Sequence, residues 1–114
     1  MESIEITINT LDRDRAVEFW CAALGYRLRY HRGSYAVLAP STGAGPQVVV
    51  QAVDPASVGA GGVHFDLRVA DPAATVARLL ELGARRRADV EDAGRRWTVL
   101  TDPDGNPFCV CPSR

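Results

Sequence analysis

Apolar and polar residues alternate from Ser3 to Asn9, with Ile4, Ile6 and Ile8 on one side and Glu5, Thr7 and Asn9 on the other. A period of two marks a strand buried on one face. Asp12 then offers a helix N-cap, Ala16, Phe19, Trp20, Ala23 and Leu24 recur at helical spacing, and Gly25 supplies the stop. Short strands follow near Tyr26–Tyr30 and Tyr35–Ala39, joined by a turn over His31–Ser34. Pro40–Pro46 reads as a Gly/Ser/Pro loop and Gln47–Val53 as a fourth strand.

Asp54–Gly62, rich in Pro, Ala and Gly, reads as a linker, after which the same order begins again. In Val63–Val69, Phe65, Leu67 and Val69 share one face while His64, Asp66 and Arg68 share the other. Asp71 caps a second helix, Pro72 takes its first position, Val76, Leu79 and Leu80 form its inner stripe and Gly83 ends it. Strands follow near Ala84–Ala88, Arg96–Thr101 and Pro107–Cys111, with a turn over Asp102–Asn106 before the last. The halves superimpose by counting: Asp12 matches Asp71 at an offset of 59, and Leu24-Gly25 matches Leu82-Gly83 at 58. Such a repeat predicts an α+β chain of two βαβββ modules, about residues 1–56 and 62–114, packed about a pseudo-twofold axis within a single domain.

In each first strand the apolar face must cover its helix, which leaves the opposite face to polar residues. Helices on one side and polar groups on the other predict curled sheets forming a cup, with convergent polar groups as a ligand site. The alternative is a solvated face. The residues expected in the cup are Glu5, Thr7, Gln51, His64, Asp66, Arg68, Trp97 and Cys109, and Tyr35 occupies a strand nearly equivalent to that of Trp97. Arg68 offers a bidentate contact to an anion or an intrastrand partner for Asp66.

Composition narrows the function. In 114 residues, thirteen basic and fourteen acidic side chains give a formal charge of −1, which argues against nucleic acid and polybasic membrane contact. No apolar run is long enough to span a membrane, and the first residues lack the features of a signal peptide, so a cytoplasmic location is expected. Every basic residue other than His is Arg, which excludes Schiff-base and P-loop lysines; with the many Ala and Gly, it points to a GC-rich bacterial genome. Three cysteines, an odd number, fit a reducing compartment. Cys109 and Cys111 point to one face of a strand with Cα atoms about 6.5–7 Å apart, at the outer edge of what a disulfide tolerates. The nucleophile-elbow, Rossmann and zincin motifs are all missing.

The paired βαβββ order, Phe19-Trp20 running to Leu24-Gly25, the stretch His64–Val69 and the segment Asp102-Pro103-Asp104-Gly105-Asn106-Pro107-Phe108 together resemble the glyoxalase/bleomycin-resistance/dioxygenase (vicinal oxygen chelate) superfamily, in its small glyoxalase-like branch. The resemblance covers nearly the whole chain. It implies a cup that, in the family's enzymes, holds a divalent metal through His and Glu from the first and fourth strands of the modules. Position by position, those places fall on Glu5, Gln51, His64 and Cys109. Only His64 is of the expected type: Glu5 stands where His is usual, and Gln51 and Cys109 where Glu is usual. The reading is therefore a small-molecule-binding protein without an intact catalytic metal site and with no cofactor. A metal-dependent lyase, isomerase, transferase or dioxygenase, its divalent ion held by Glu5, His64 and Cys109, is the alternative. A third reading is a regulatory or interaction module without ligand. The family resemblance and the open edges of a single module also imply a homodimer.

Overall fold

The computed structural model describes residues 3–55 and 62–114, so the linker expected at Asp54–Gly62 lies largely outside the described residues. The elements run β1 (Ser3–Thr10), α1 (Arg13–Leu24), β2 (Tyr26–Arg32), β3 (Tyr35–Pro40), β4 (Gln47–Ala52), β5 (Val63–Val69), α2 (Pro72–Glu81), β6 (Arg85–Asp92), β7 (Arg95–Thr101) and β8 (Pro107–Pro112). The β-α-β-β-β order occurs twice, as the repeat predicts. Two compact units result, one from Glu5 to His64 and the other from Phe65 to Arg114 with the first residues of β1. Both divisions fall inside strands, after Ile4 in β1 and after His64 in β5.

The two units have equivalent wiring. In the first, the strands lie in the order β2-β3-β4-β1, with β1 and β4 parallel and the other neighbours antiparallel. In the second the order β6-β7-β8-β5 repeats it, with β5 and β8 parallel. Each antiparallel edge pair carries a register shift at the corresponding place, between Leu28 and Tyr30 and between Arg86 and Ala88. The extra residue is Arg29 in one module and Arg87 in the other, so the repeat extends to its bulges.

Asp12 caps α1 by accepting from the Arg15 amide at 3.1 Å, and Gly25 closes it at φ 71°, a left-handed conformation that glycine adopts at little cost. Asp71 caps α2 through the Ala74 amide at 3.0 Å, with Pro72 at the start of the helix. The first core joins Ala36, Leu38, Val48 and Val50 to Ile6, Ile8, Ala16, Val17, Trp20, Cys21 and Tyr26. The second joins Val69, Val76, Leu100 and Val110 to Leu67, Leu79, Ala84 and Phe108.

Four expectations need correcting. The α1 stripe runs through Ala16, Val17, Trp20 and Cys21, whereas Phe19 is 61% exposed and meets Trp20 edge-on at 5.0 Å. Ala23 and Leu24 are also exposed, because the i, i+4 pair Val17/Cys21 sets the inner face. Leu80 lies at the exposed edge of α2 rather than in its core. Strand β6 runs on to Asp92, since Asp89 and Glu91 face solvent and find Arg86 at 2.9 Å and Arg96 at 2.8 Å. His31 belongs to β2, which leaves Gly33 and Ser34 to make the turn.

Candidate functional site

With Ile6, Ile8, Val48 and Val50 given to α1, period two turns Glu5, Thr7, Gln47, Val49 and Gln51 to the opposite face of the first unit. That face is not simply solvated: Glu5 is 1% and Thr7 2% exposed. Gln47 Nε2 donates to Glu5 Oε2 at 2.6 Å, and Gln47 Oε1 accepts from Arg29 Nη1. Both ends of the amide are used, which fixes its orientation. A buried carboxylate is costly unless hydrogen-bonded and balanced. Here the amide supplies the bond, and the exposed guanidinium, re-aimed by the β2 bulge and 6.0 Å from the Tyr30 ring centroid, supplies the positive charge behind it.

The parallel register places Gln47 opposite Glu5 and Gln51 opposite Asn9. In the second unit Asp66 stands opposite Cys109, and the matching pair in the first is Thr7 and Val49. Gln51 is therefore two positions beyond the counterpart of Cys109. It lies beside Tyr35 at the far end of β4, and Gln47 is the residue that sequence reasoning missed. Its signal was present in the alternation of Gln47, Val49 and Gln51 on one face.

On the paired strands β5 and β8, Leu67, Val69, Phe108 and Val110 serve the core, so His64, Asp66, Arg68, Cys109 and Cys111 share the other face. Phe65, on the core side by period, is 57% exposed. Val99 pairs with Cys109, which puts the half-buried Trp97 on this face as well. His64, Asp66 and Cys109 come together, each offering one donor atom, with all three atoms within 4.8 Å of one another. The continuous strand β5 fixes His64 beside Asp66, and the β5–β8 register brings in Cys109. Asp66 is 7% and Cys109 6% exposed, and His64 is half-buried. Arg68 Nη1 donates to the Pro112 carbonyl at 3.1 Å.

Burial pushes the Cys109 thiol well above its ordinary range. The Asp66 charge, Cys111 and a hydrogen bond to Asp66 push it further, and Arg68 opposes them. Cys109 is a protonated thiol at neutral pH, and none of the three cysteines forms a disulfide. Cys21, in α1, is also raised by burial.

These residues do not fit the metal set that the resemblance implies. Glu5 commits an oxygen to Gln47, Gln51 is displaced along β4, and Cys109 brings sulfur where a hard ion needs carboxylate. An open groove lined by Arg13, Asp14, Val17, Glu18, Leu28, His31 and Ala36 lies on the α1 side of the first unit and contains none of the expected site residues.

The glyoxalase-like domain family model matches residues 5–111. No curated protein matches the chain. Among solved structures, a protein described as NAD-dependent benzaldehyde dehydrogenase from Legionella pneumophila is similar at 12% identity and a TM-score of 0.76, over 97% of this chain and 99% of that one. Methylmalonyl-CoA epimerase from Mycobacterium tuberculosis is similar at 21% identity and a TM-score of 0.72, over 96% and 86%. A glyoxalase/bleomycin resistance protein/dioxygenase superfamily member from Vibrio splendidus 12B01 is similar at 19% identity and a TM-score of 0.63, over 96% and 97%. At these identities the likeness is one of fold.

Proposed function

Because the chain belongs to the glyoxalase-like domain family, we propose that it binds a small organic molecule on the polar strand faces, without the His-and-carboxylate metal set of the family's enzymes. The observation that carries this reading is the buried Glu5, tied through Gln47 to Arg29 at a position where the resemblance expects a metal-binding His. Polar strand faces that carry Glu5 and Thr7 in one unit and Asp66 and Arg68 in the other each suit a ligand bearing both hydrogen-bond donors and acceptors. The epimerase neighbour is named for a small acyl-CoA substrate, which makes acyl thioesters and their organic acids a reasonable first panel.

The test is a thermal-shift screen of such compounds with chelator present throughout. At least one compound should raise the unfolding temperature of the wild type and not that of Glu5→Ala. Stabilisation that appears only when divalent metal is restored would overturn the reading.

A second reading, metal-dependent chemistry, is favoured by the convergence of His64, Asp66 and Cys109. Turnover of an oxygen-chelating substrate that is lost on chelation and in His64→Ala would make it the better one. The protein is further proposed to act in the cytoplasm, supported by three cysteines that form no disulfide, and as a homodimer. Light scattering should then give about twice 12.3 kDa, and a mass near that of one chain would sink the dimer.

A further inference from the structure

We propose that the outer edge of β6 is the surface on which two copies of this chain meet, pairing antiparallel about a twofold axis so that Arg85 of each protomer faces Asp92 of the partner subunit. The inference rests on the homodimer reading above and deepens it by naming the surface. β6 ends its strand order, bonded to β7 on one side only, and all its residues but Val90 are exposed. Such an edge offers a row of backbone donors and acceptors to a further strand.

The charge along β6 changes sign once. Arg85, Arg86 and Arg87 precede Ala88, while Asp89, Glu91 and Asp92 follow it. The β6–β7 register sorts these groups by face. Arg86, Asp89 and Glu91 stand opposite Leu100, Thr98 and Arg96, on the side that Leu100 gives to the core. They are paired within the hairpin, Arg86 with Asp89 at 2.9 Å and Glu91 with Arg96 at 2.8 Å. Arg85 and Asp92 stand opposite Thr101 and Arg95 on the other face. Among the described residues, neither of these two side chains forms an ion pair or a hydrogen bond. One end of the strand thus keeps an unused cation and the other an unused anion.

A second copy satisfies both. With the bulged Arg87 set aside, an antiparallel pairing that uses the whole strand and keeps like faces together puts Arg85 opposite the partner's Asp92 and Arg86 opposite the partner's Glu91. Twofold symmetry makes each of these contacts twice. Asp89 then meets the partner's Asp89 at the axis, a repulsion offset by Arg86 beside each carboxylate and by Thr98 Oγ1, which donates to it at 2.9 Å. A slip that brings the two arginine ends together, or the two acidic ends, is repelled, so an edge that resists open growth accepts one partner in one alignment. β2, the other open edge, carries Arg27, Arg29 and Arg32 and no acidic residue, and two copies of it would set arginine against arginine.

Sedimentation equilibrium of the full chain reads the association. The wild type should be a dimer, and Arg85→Glu and Asp92→Arg should each weaken it at least about tenfold, because symmetry makes every reversed charge count twice. An equimolar mixture of the two variants should regain dimer at near wild-type affinity, since the mixed pair again sets opposite charges against each other at both ends. Arg32→Glu, on β2, should associate as the wild type does. Circular dichroism checks that each variant folds. Should one not fold, hydrogen exchange on the wild type decides: protection of β6 amides should rise with protein concentration while that of β2 amides does not. A wild type that sediments as one chain would overturn the homodimer reading and this surface with it. A dimer that persists in both β6 variants, a mixture that stays dissociated, or β6 amides whose protection ignores concentration would overturn the surface alone and leave the homodimer reading standing.

Discussion

Gln47 Nε2 lies 2.6 Å from Glu5 Oε2, joining β4 to β1 through a carboxylate that is 1% exposed, while the far end of the same amide accepts from Arg29. The amide thus passes a hydrogen bond from an exposed cation to a buried anion. Removing a donor from a buried charged acceptor costs more than the net value of the bond, because the acceptor keeps its desolvation penalty. Gln47→Leu should therefore destabilise the protein by about 1–3 kcal/mol. Arg29→Ala, at an exposed site, should cost under about 1 kcal/mol. Urea midpoints at unchanged m-value measure both. Equal losses for the two variants would show that the charge, and not the amide, holds Glu5.

Asp102 organises the turn before β8. Its Oδ1 accepts from the Asp104 and Asn106 amides at 2.9 and 2.8 Å, and its Oδ2 accepts from Asn106 Nδ2 at 2.8 Å. The Asn106 side chain, then its backbone amide, hold the carboxyl below its ordinary value near 3.8. A lowered folded value means the stabilisation is fully present above the ordinary value and is lost as pH falls through the folded one. The unfolding temperature of the wild type should thus drop below about pH 4, and part of that slope should be missing in Asp102→Ala, which is less stable at neutral pH. Parallel wild-type and variant curves down to about pH 2 would remove Asp102 from the acid limb.

Much of this fold is legible in the chain because its signals are local. Alternation in Ser3–Asn9 and Val63–Val69, the Asp12 and Asp71 caps and the Gly25 stop each report on a few neighbouring residues. The Asp102–Phe108 turn is equally local, and Phe108 does pack into the second core. Gln47 escaped because period two gives a face but not a register: Gln47, Val49 and Gln51 look alike until the parallel β1–β4 pairing puts the first opposite Glu5. The same limit hid the meeting of Asp66 and Cys109. Both were expected on the polar face, but only the β5–β8 register makes them partners. Phe19 misled for another reason, since an aromatic residue at helical spacing is equally compatible with the stripe's flank.

Ala93 and Gly94 connect β6 to β7, and both have positive φ, 51° and 78°. Two such residues in succession make the tight hairpin turn whose twist suits the flanking strands. Gly94 meets this at no steric cost, whereas an L-alanine in the left-handed region is disfavoured by about 1 kcal/mol. Asn tolerates the region far better, so Ala93→Asn should stabilise by roughly 0.5–1 kcal/mol, about 2–5 °C in unfolding temperature. Ala93→Val should move it the other way. A lower midpoint for Ala93→Asn would show that the alanine is held by something other than its backbone conformation.

Strands β2 and β6 stand at the ends of their strand orders and are exposed almost throughout. An exposed edge presents unpaired backbone donors and acceptors to any other strand, and charged side chains are the common guard against it. Both edges are guarded by arginine: Arg27, Arg29 and Arg32 on β2, and Arg85, Arg86 and Arg87 on β6. Among the described residues, Arg86 is the one of these three on β6 that pairs with a carboxylate, that of Asp89. Replacing Arg85 and Arg87 by Val turns Arg85–Val90 into a weakly charged β-forming segment on an open edge, the pattern that invites strand-to-strand growth. The double variant should show a light-scattering mass that climbs with concentration between about 10 and 200 μM, while the wild type stays constant. Arg15→Thr with Arg78→Thr, which removes the same charge from exposed helix positions, separates edge protection from net charge. It should behave as the wild type does. If the helix variant associates as strongly as the edge variant, solubility depends on total charge and not on the arginines that guard the sheet.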